Sequence, residues 1–568
     1  MHSVHTRSAC FSLPWLVAAL LLGGMLTPPA FAQREVRQPR LVLVLVVDQL
    51  RADFLTRYRD HFGNNGFRRL MDNGAHFANA HFSFGAPSTA AGHATIATGR
   101  LPRQHGVVGN QWLQGQVNPA LRSAFFDPEA RILVGPGGRT EGRSPRNLIG
   151  ATLGDQLKLT NRAARVFSIS LKDRAAIALG GKNPDGAFWW DLNTGHFVTS
   201  NYYMAEMPAY VRDFNSNRWA DRFTNNRWDR LLAQSAYALL QPLDPAWMTQ
   251  TEGLGPAFPH AIPRVTGAPT REYYTAVMHT PFGNEVVLEL ARRVLVSERL
   301  GTDDATDLLC VSLSSFDAAG HLFGPDSAEM MDFTVRTDRQ IGAFLDAVDR
   351  AVGLNRCIVV LTADHGVTTA PRLAATVGLN GGRIDLTAVI KNLNEKLSGV
   401  ASLPDRHAHI IAASVPWLFW DPAVMALEQE QRVKLLAAAQ QRLRAIDGVS
   451  DVFTVTDLDG PAPMPSDVSR YLAWRSYFPG RAGELYMQLA PYWNTREGDF
   501  AGHNSGYNHD RHVPIVIMGG LVRPGRYFTE ADPADIPVTL AAMLGIEPPL
   551  GAVGRVLAEA FDPAEFVR

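Results

Sequence analysis

Four segments of almost unbroken apolar residues, far apart in the chain, constrain its fold most. They are RLVLVLVVD from residue 40, ARVFSISL from 164, DLLCVSLSSFD from 307 and RCIVVLTADHG from 356. A strand open to water on one face alternates apolar with polar residues. Continuous runs like these suit strands covered on both faces, the situation of a parallel sheet. Between and beside them lie stretches with apolar residues three to four apart: RADFLTRYRDHFGNNGFRRLMDNG, NEVVLELARRVLVSERLG and AEMMDFTVRTDRQIGAFLDAVDRAVG. Each stops near a Gly, as helices do. A last short helix, DIPVTLAAMLGIEPP, is closed by Gly and Pro. The pattern predicts an α/β chain: a doubly wound, mostly parallel central sheet flanked by helices.

With 568 residues, the chain exceeds one simple domain. Two stretches break the regular pattern and read as cap or accessory segments inserted into one catalytic domain spanning 33–568. The first, about 175–280, is rich in Trp, Tyr, Asn and Pro and contains the hairpin AFWWDLNTGHFVTS, turning at Asn193-Thr194-Gly195. Its Trp189, Trp190, Tyr202 and Tyr203 either shape a pocket or pack a hairpin face. The second, about 375–500, holds the turn Leu379-Asn380-Gly381-Gly382 and the helical QRVKLLAAAQQRLRAI. There are no repeats and no low-complexity tract.

Residues 1–32 carry Arg7, no acidic residue, the apolar run LPWLVAALLLGG and the small-residue site Ala30-Phe31-Ala32. This reads as a cleaved export signal, with an uncleaved anchor as the competing reading. No later stretch is long enough to span a bilayer. The expected location is periplasmic or secreted. Removing Arg7 leaves 53 basic against 55 acidic side chains, so nothing suggests a nucleic-acid or anionic-membrane surface. Of the three cysteines, Cys10 lies in the signal. Cys310 and Cys357 each stand seven residues before a strand-end Asp. They are either buried thiols or, if their strands are neighbours in register, a bridged pair.

The ends of the apolar runs carry the chemistry. Asp48, Asp317 and Asp364 each follow such a run, and ligands of doubly wound sheets bind beyond the strands' carboxyl ends. One strand-end Asp is ordinarily a helix cap or a surface carboxylate. Three in one chain, with His321 four residues after Asp317 and His365 next to Asp364, are a ligand set for divalent metal. The late segment AGHNSGYNHDRH offers His503, with His509 and His512 as alternatives. In GAPSTAAGHATIATG a helix is expected to start near Thr89. A hydroxyl there faces the positive helix end, and a bound metal would lower its pKa. Alternatively, Ser88 or Thr89 only caps the helix.

Taken in order, these motifs resemble the alkaline phosphatase superfamily, most closely its bacterial members with a threonine nucleophile. The resemblance rests on the strand-end Asp48, Thr89-x-x-Gly-His, Asp317-x-x-x-His321, Asp364-His365-Gly, and His503 followed by a Tyr-containing stretch and His-Val-Pro. It runs from about residue 40 to about 550. It implies an alkaline-phosphatase-like fold and two Zn2+ per chain. One ion would be held by Asp48, Asp364 and His365 with Thr89 facing it, the other by Asp317, His321 and His503. Thr89 is implied as the nucleophile of a phosphothreonine intermediate and Asn110 as a phosphate-oxygen ligand. Lys172 and Arg174 match a Lys-x-Arg pair that holds the remaining oxygens of a monoester. The implied activity is hydrolysis of small phosphate monoesters to inorganic phosphate, with an alkaline optimum. In one place the chain departs from the pattern. Asn504 stands where Gly usually follows the late His, and Asn is the next best residue if φ is positive there. The alternatives are a phosphodiesterase or nucleotide pyrophosphatase of the same superfamily, or a non-catalytic exported protein that binds metal or phosphate.

Overall fold

The computed structural model describes residues 38–561 except 116–118, 134–140, 239, 241–250, 404–406, 496–500 and 521. The expected export signal lies outside the described residues. Among the described residues, ten strands form the main sheet. In chain order they are β1 (Leu41–Val47), β2 (Gly74–Phe77), β3 (Ile132–Leu133), β4 (Val166–Ser170), β5 (Gly186–Asp191), β6 (His196–Ser200), β7 (Asp307–Leu313), β8 (Cys357–Thr362), β9 (Ile515–Gly519) and β10 (Gly525–Tyr527). Their spatial order is β10-β2-β9-β8-β1-β7-β4-β5-β6-β3.

The four apolar runs become the adjacent strands β8, β1, β7 and β4. All their neighbouring pairs are parallel, as is β4 with β5. β1 lies in the middle with every side chain no more than 4% exposed. Burying one such Leu or Val is worth about 1.5–3 kcal/mol, so the run itself stabilises the centre of the fold. Outside this core the sheet is mixed. β9 runs antiparallel to both β8 and β2, and β6 runs antiparallel to both β5 and β3.

The hairpin of the first irregular stretch is β5 and β6, and it is not an external appendage. β5 joins β4 in parallel and carries the sheet further. The second irregular stretch contributes a separate antiparallel sheet of four strands, ordered Ile410–Ser414, Trp417–Trp420, Leu485–Leu489 and Val449–Thr454. The helix Gln429–Arg444 covers it, presenting Leu435, Ala439 and Leu443 at four-residue intervals to Val452 and Met487.

Helices form where periodicity predicts them at Pro281–Ser297, Ala328–Ala351 and Asp535–Leu544. The stretch from residue 51 to 74 instead breaks into Phe54–Arg57, a 3₁₀ turn Arg59–His61 and Phe67–Asn73. The buried Asp338 explains the restart: its carboxylate accepts the N–H groups of Gly63 and Phe67, both at 2.7 Å. A residue from a remote helix thus caps the second piece.

Candidate active site

Register gathers the carboxylates. Val46 pairs with Thr362 and Val47 with Leu313, so Asp48 and Asp364 leave neighbouring strands at one level. Just beyond β7 the helix Ser315–Phe323 begins, placing Asp317 in its first turn and His321 one turn on. Beyond β4, Lys172 precedes the helix Asp173–Gly180. The carboxyl ends of four adjacent parallel strands therefore converge, where α/β sheets bind ligands.

Among the described residues, two groups there can hold metal: Asp317, His321 and His503, and Asp48, Asp317 and His365. Asp364 borders the second, its Oδ2 lying 3.4 Å from His365 Nε2, which is 3.5 Å from Asp48 Oδ1. These three atoms are buried, and none has a hydrogen-bond partner among the described residues, while His93 Nδ1 approaches Asp364 Oδ2 at 3.2 Å. Their spacing is near the edge of about 3.3 Å expected for a tetrahedron with bonds of about 2.0 Å. Unpaired buried acceptors are costly, and a cation seated among them satisfies all three.

The histidine tautomers agree with this. Nδ1 of His365 lies 2.9 Å from the Gly366 carbonyl, Nδ1 of His321 2.9 Å from that of Ala501, and Nδ1 of His503 3.1 Å from that of Pro87. A carbonyl only accepts, so each Nδ1 carries the proton and each Nε2 the lone pair a metal takes. The residues fit divalent metal, and the nitrogen and oxygen donors suit zinc.

Beside these groups lies the helix Thr89–Thr98. Ser88 occupies its N-cap position without a side-chain capping bond, and Thr89 is its first residue. Neither hydroxyl caps the helix. Gly92 lets the helix seat against β8: a Cβ there would fall 2.0 Å from the Asp364 carbonyl oxygen. Thr89 Oγ1 lies 3.3 Å from Lys172 Nζ. Asn110 Oδ1 accepts the Ala90 N–H at 2.9 Å, so its NH2 group is left to donate elsewhere. Thr89, Asn110, Lys172, Arg174, His321 and His503 all line one cavity of about 850 Å³. Arg174 Nε is buried there without a partner among the described residues. Arg143 holds Asp173 at 2.7 Å.

Electrostatics couple the parts. Burial, then the nearby Asp364 carboxylate, push the Asp48 carboxyl well above its ordinary range. Burial acts the same way on Asp317, but Lys172 and His321 overcome it and hold that carboxyl well below. Asp364 is likewise held down against burial by His365 and His93. Burial depresses His365 and keeps it neutral, the form that ligates. The Lys172 ammonium contacts Asp48 Oδ2 at 2.7 Å and also Asp317 Oδ2. Carboxylates packed this closely shed protons when divalent charge is supplied.

The model of the type I phosphodiesterase / nucleotide pyrophosphatase family matches residues 42–499. The chain belongs to that family. Within the wider alkaline phosphatase superfamily it is 32% identical to the alkaline phosphatase PafA of Elizabethkingia meningoseptica over 556 residues, 96% of this chain and 98% of the relative. A protein of Myroides odoratus named a calcium-transporting ATPase is also 32% identical, over 94% of this chain and 96% of its own. Among solved structures, wild-type PafA superposes with a TM-score of 0.83 at 31% identity, covering 93% of this chain and all of PafA. A PafA variant altered at one Thr, one Asn, one Lys and one Arg superposes with the same TM-score at 30% identity, with the same coverage. The intervals between its four altered positions equal those between Thr89, Asn110, Lys172 and Arg174.

Every site residue named from the sequence of this family member lies around the cavity or the ligand groups beneath it. Of the three late histidines, His503 joins the cluster. His509 instead neighbours Asp510, and His512 stacks on His81. Asn504 has φ 87°, the left-handed conformation that Gly would otherwise supply. Cys310 and Cys357 are unbridged, since β1 runs between their strands. Trp189 and Trp190 are buried on the hairpin, while Tyr202 is exposed. Sequence reasoning missed two residues. His93 contacts Asp364, and its only sequence signal is its place in Thr89-x-x-Gly-His. Gln49 hydrogen-bonds to Asp364 and Asp317, and nothing in its sequence context marks it except adjacency to Asp48.

Proposed function

We propose that this enzyme, a phosphatase of the alkaline phosphatase superfamily, hydrolyses small phosphate monoesters through a covalent phosphothreonine at Thr89. The observation that carries the reading is the cavity wall on which a hydroxyl, an amide, an ammonium and a guanidinium meet beside two metal-capable groups. The relative altered at the four corresponding positions, and the alkaline phosphatases among its relatives, support it. Asp48, Asp364 and His365 would hold one ion, and Asp317, His321 and His503 the other, two zinc ions per chain. When bound, they supply Lewis-acid charge to the phosphoryl oxygens and to the attacking and leaving oxygens.

The chain's own residues do the rest. Thr89 Oγ1, beside the Lys172 ammonium and at the positive end of its helix, attacks phosphorus after giving its proton to solvent. The bond to the ester oxygen breaks, and the alcohol leaves with a proton taken from water. Water then attacks the phosphothreonine, releasing inorganic phosphate and restoring the hydroxyl. The Asn110 NH2, the Lys172 ammonium and the Arg174 guanidinium hold the equatorial oxygens, where a monoester places a full dianion. The protein acts outside the cytoplasm after cleavage following Ala32, as one catalytic domain over 33–568 with accessory segments.

The test is Thr89→Ala. Turnover is expected to fall by on the order of 10³-fold or more, with zinc content unchanged and no acid-stable phosphate trapped on the chain. Parental turnover in that variant would overturn the assignment. A second reading, phosphodiester hydrolysis, is favoured by the description of the matched family. Comparing an aryl phosphate with its methyl diester separates the two. A diester preference insensitive to Lys172→Ala supports the second.

A further inference from the structure

Gln49, the residue after Asp48, carries two features that a purely structural residue does not need. It is fully buried, yet its φ is 72°, in the left-handed region that favours Gly. Its side-chain carbonyl Oε1 is also buried and has no hydrogen-bond partner among the described residues. A Gly would remove the backbone cost and a Met the orphaned acceptor. Backbone conformations of this kind persist where the surroundings fix them, and they concentrate at functional sites.

The surroundings are the two ligand groups. The Gln49 N–H donates to Asp364 Oδ1 at 3.0 Å, and Nε2 donates to Asp317 Oδ1 at 2.8 Å. The amide's orientation follows from chemistry, because an ionised carboxylate only accepts and so Nε2 faces Asp317. With Oδ1 of Asp364 engaged, its Oδ2 is left to the ligand set. The opposite end of the amide is seated just as closely: a Cβ on Gly320 would lie 1.8 Å from Gln49 Oε1. The Gly of Asp317-Ala-Ala-Gly-His321 therefore leaves room for the Gln49 amide beside the helix that supplies two ligands of the second group.

We propose that Gln49 is a positioning residue that ties the two metal groups together. Its backbone orients Asp364 and its side chain orients Asp317, so one residue sets the spacing of ligands across both groups. The inference rests on the metal-dependent reading of the site. Orienting partners of ligating carboxylates contribute about 10–100-fold to metal affinity. A backbone partner survives substitution and an amide partner does not, so the two contributions are separable.

The experiment uses Gln49→Gly, which keeps the N–H and the positive φ, and Gln49→Met, which keeps the volume. Zinc is titrated into chelator-stripped protein by calorimetry, and thermal unfolding is followed with and without zinc. In both variants one binding step is expected to weaken by about 10–100-fold while the other keeps its parental affinity in Gln49→Gly. The metal-free midpoint of Gln49→Gly should match the parent's, and the midpoint gain on adding zinc should shrink. At saturating zinc, kcat should fall more than KM rises. Two parental binding steps in Gln49→Gly overturn the proposal, as does a loss of metal-free stability with both steps unchanged, which marks a merely structural role. If the parent itself binds no zinc, the metal-dependent reading fails first and the proposal with it.

Discussion

His93 shows how much of this site is decided by single side chains that are not among those lining the cavity. Its Nδ1 lies 2.8 Å from the Thr89 carbonyl and 3.2 Å from Asp364 Oδ2, and its Nε2 lies 2.9 Å from Ser312 Oγ. The carbonyl makes Nδ1 the donor, so in the neutral ring Nε2 accepts from the Ser312 hydroxyl. One imidazole therefore fixes the helix bearing Thr89, the candidate ligand Asp364 and the neighbouring strand. His93→Ala removes all three contacts. Zinc affinity in a calorimetric titration is expected to fall about 10–100-fold, with His93→Gln recovering part of the loss. An affinity equal to the parent's in a folded His93→Ala would show that Asp364 needs no such partner. Thr89, Gly92 and His93 stand together in the sequence, so the motif was legible. Its reasons were not, because Asp364 meets them from 271 to 275 positions away.

At the scale of elements, the legible parts were those whose environment leaves a mark on composition. β1, β4, β7 and β8 are covered on both faces, and two-sided burial writes an unbroken apolar run. β2 reads only GAHF and β10 only GRY, too short to carry a pattern, so the mixed flanks of the sheet were missed. The helix break before Phe67 was equally hidden, since its cap is Asp338 from another helix. Strand order also settles the cysteines. Cys310 pairs with Val44 on one side of β1, and Cys357 with Leu41 on the other. Burial pushes each thiol up to about 12, which leaves almost no thiolate for reaction. A thiol reagent at about pH 8 is expected to find no reactive group among the described residues of the native protein. It should find two, Cys310 and Cys357, after unfolding without reductant. Fewer than two would mean a bridge that this strand order does not allow.

For the molecule as a whole, buried histidines contribute to its response to acid. Burial, with Arg100 and Arg481 nearby, lowers His105 to about 3. Burial, with Arg526 and Arg59 nearby, lowers His76 to about 4. Both folded values lie below the ordinary 6.5. Each group's contribution is therefore complete above pH 6.5 and is lost as pH falls through the window between 6.5 and its folded value. Asp535 works in the opposite sense. Burial raises it to about 6, so it disfavours folding once ionised and recovers stability as it protonates. Between about pH 6 and about pH 4 the two histidines together outweigh Asp535, each adding a slope of up to about 1.4 kcal/mol per pH unit. His105 matters further because of where it sits. Its Nδ1 accepts the Val107 N–H at 3.1 Å and its Nε2 meets Thr95 Oγ1 at 3.1 Å, tying the approach to Asn110 to the Thr89 helix. Protonating Nδ1 would end the first bond, and burial defers that in the folded chain to about pH 3. Denaturant midpoints of parent and His105→Gln, taken in chelator from about pH 7 to about pH 4 so that metal loss plays no part, should diverge. The parent is expected to lose stability more steeply, by about one proton's slope. Parallel curves would mean that His105 titrates alike in the folded and unfolded chains, and that its buried bonds do not resist protonation.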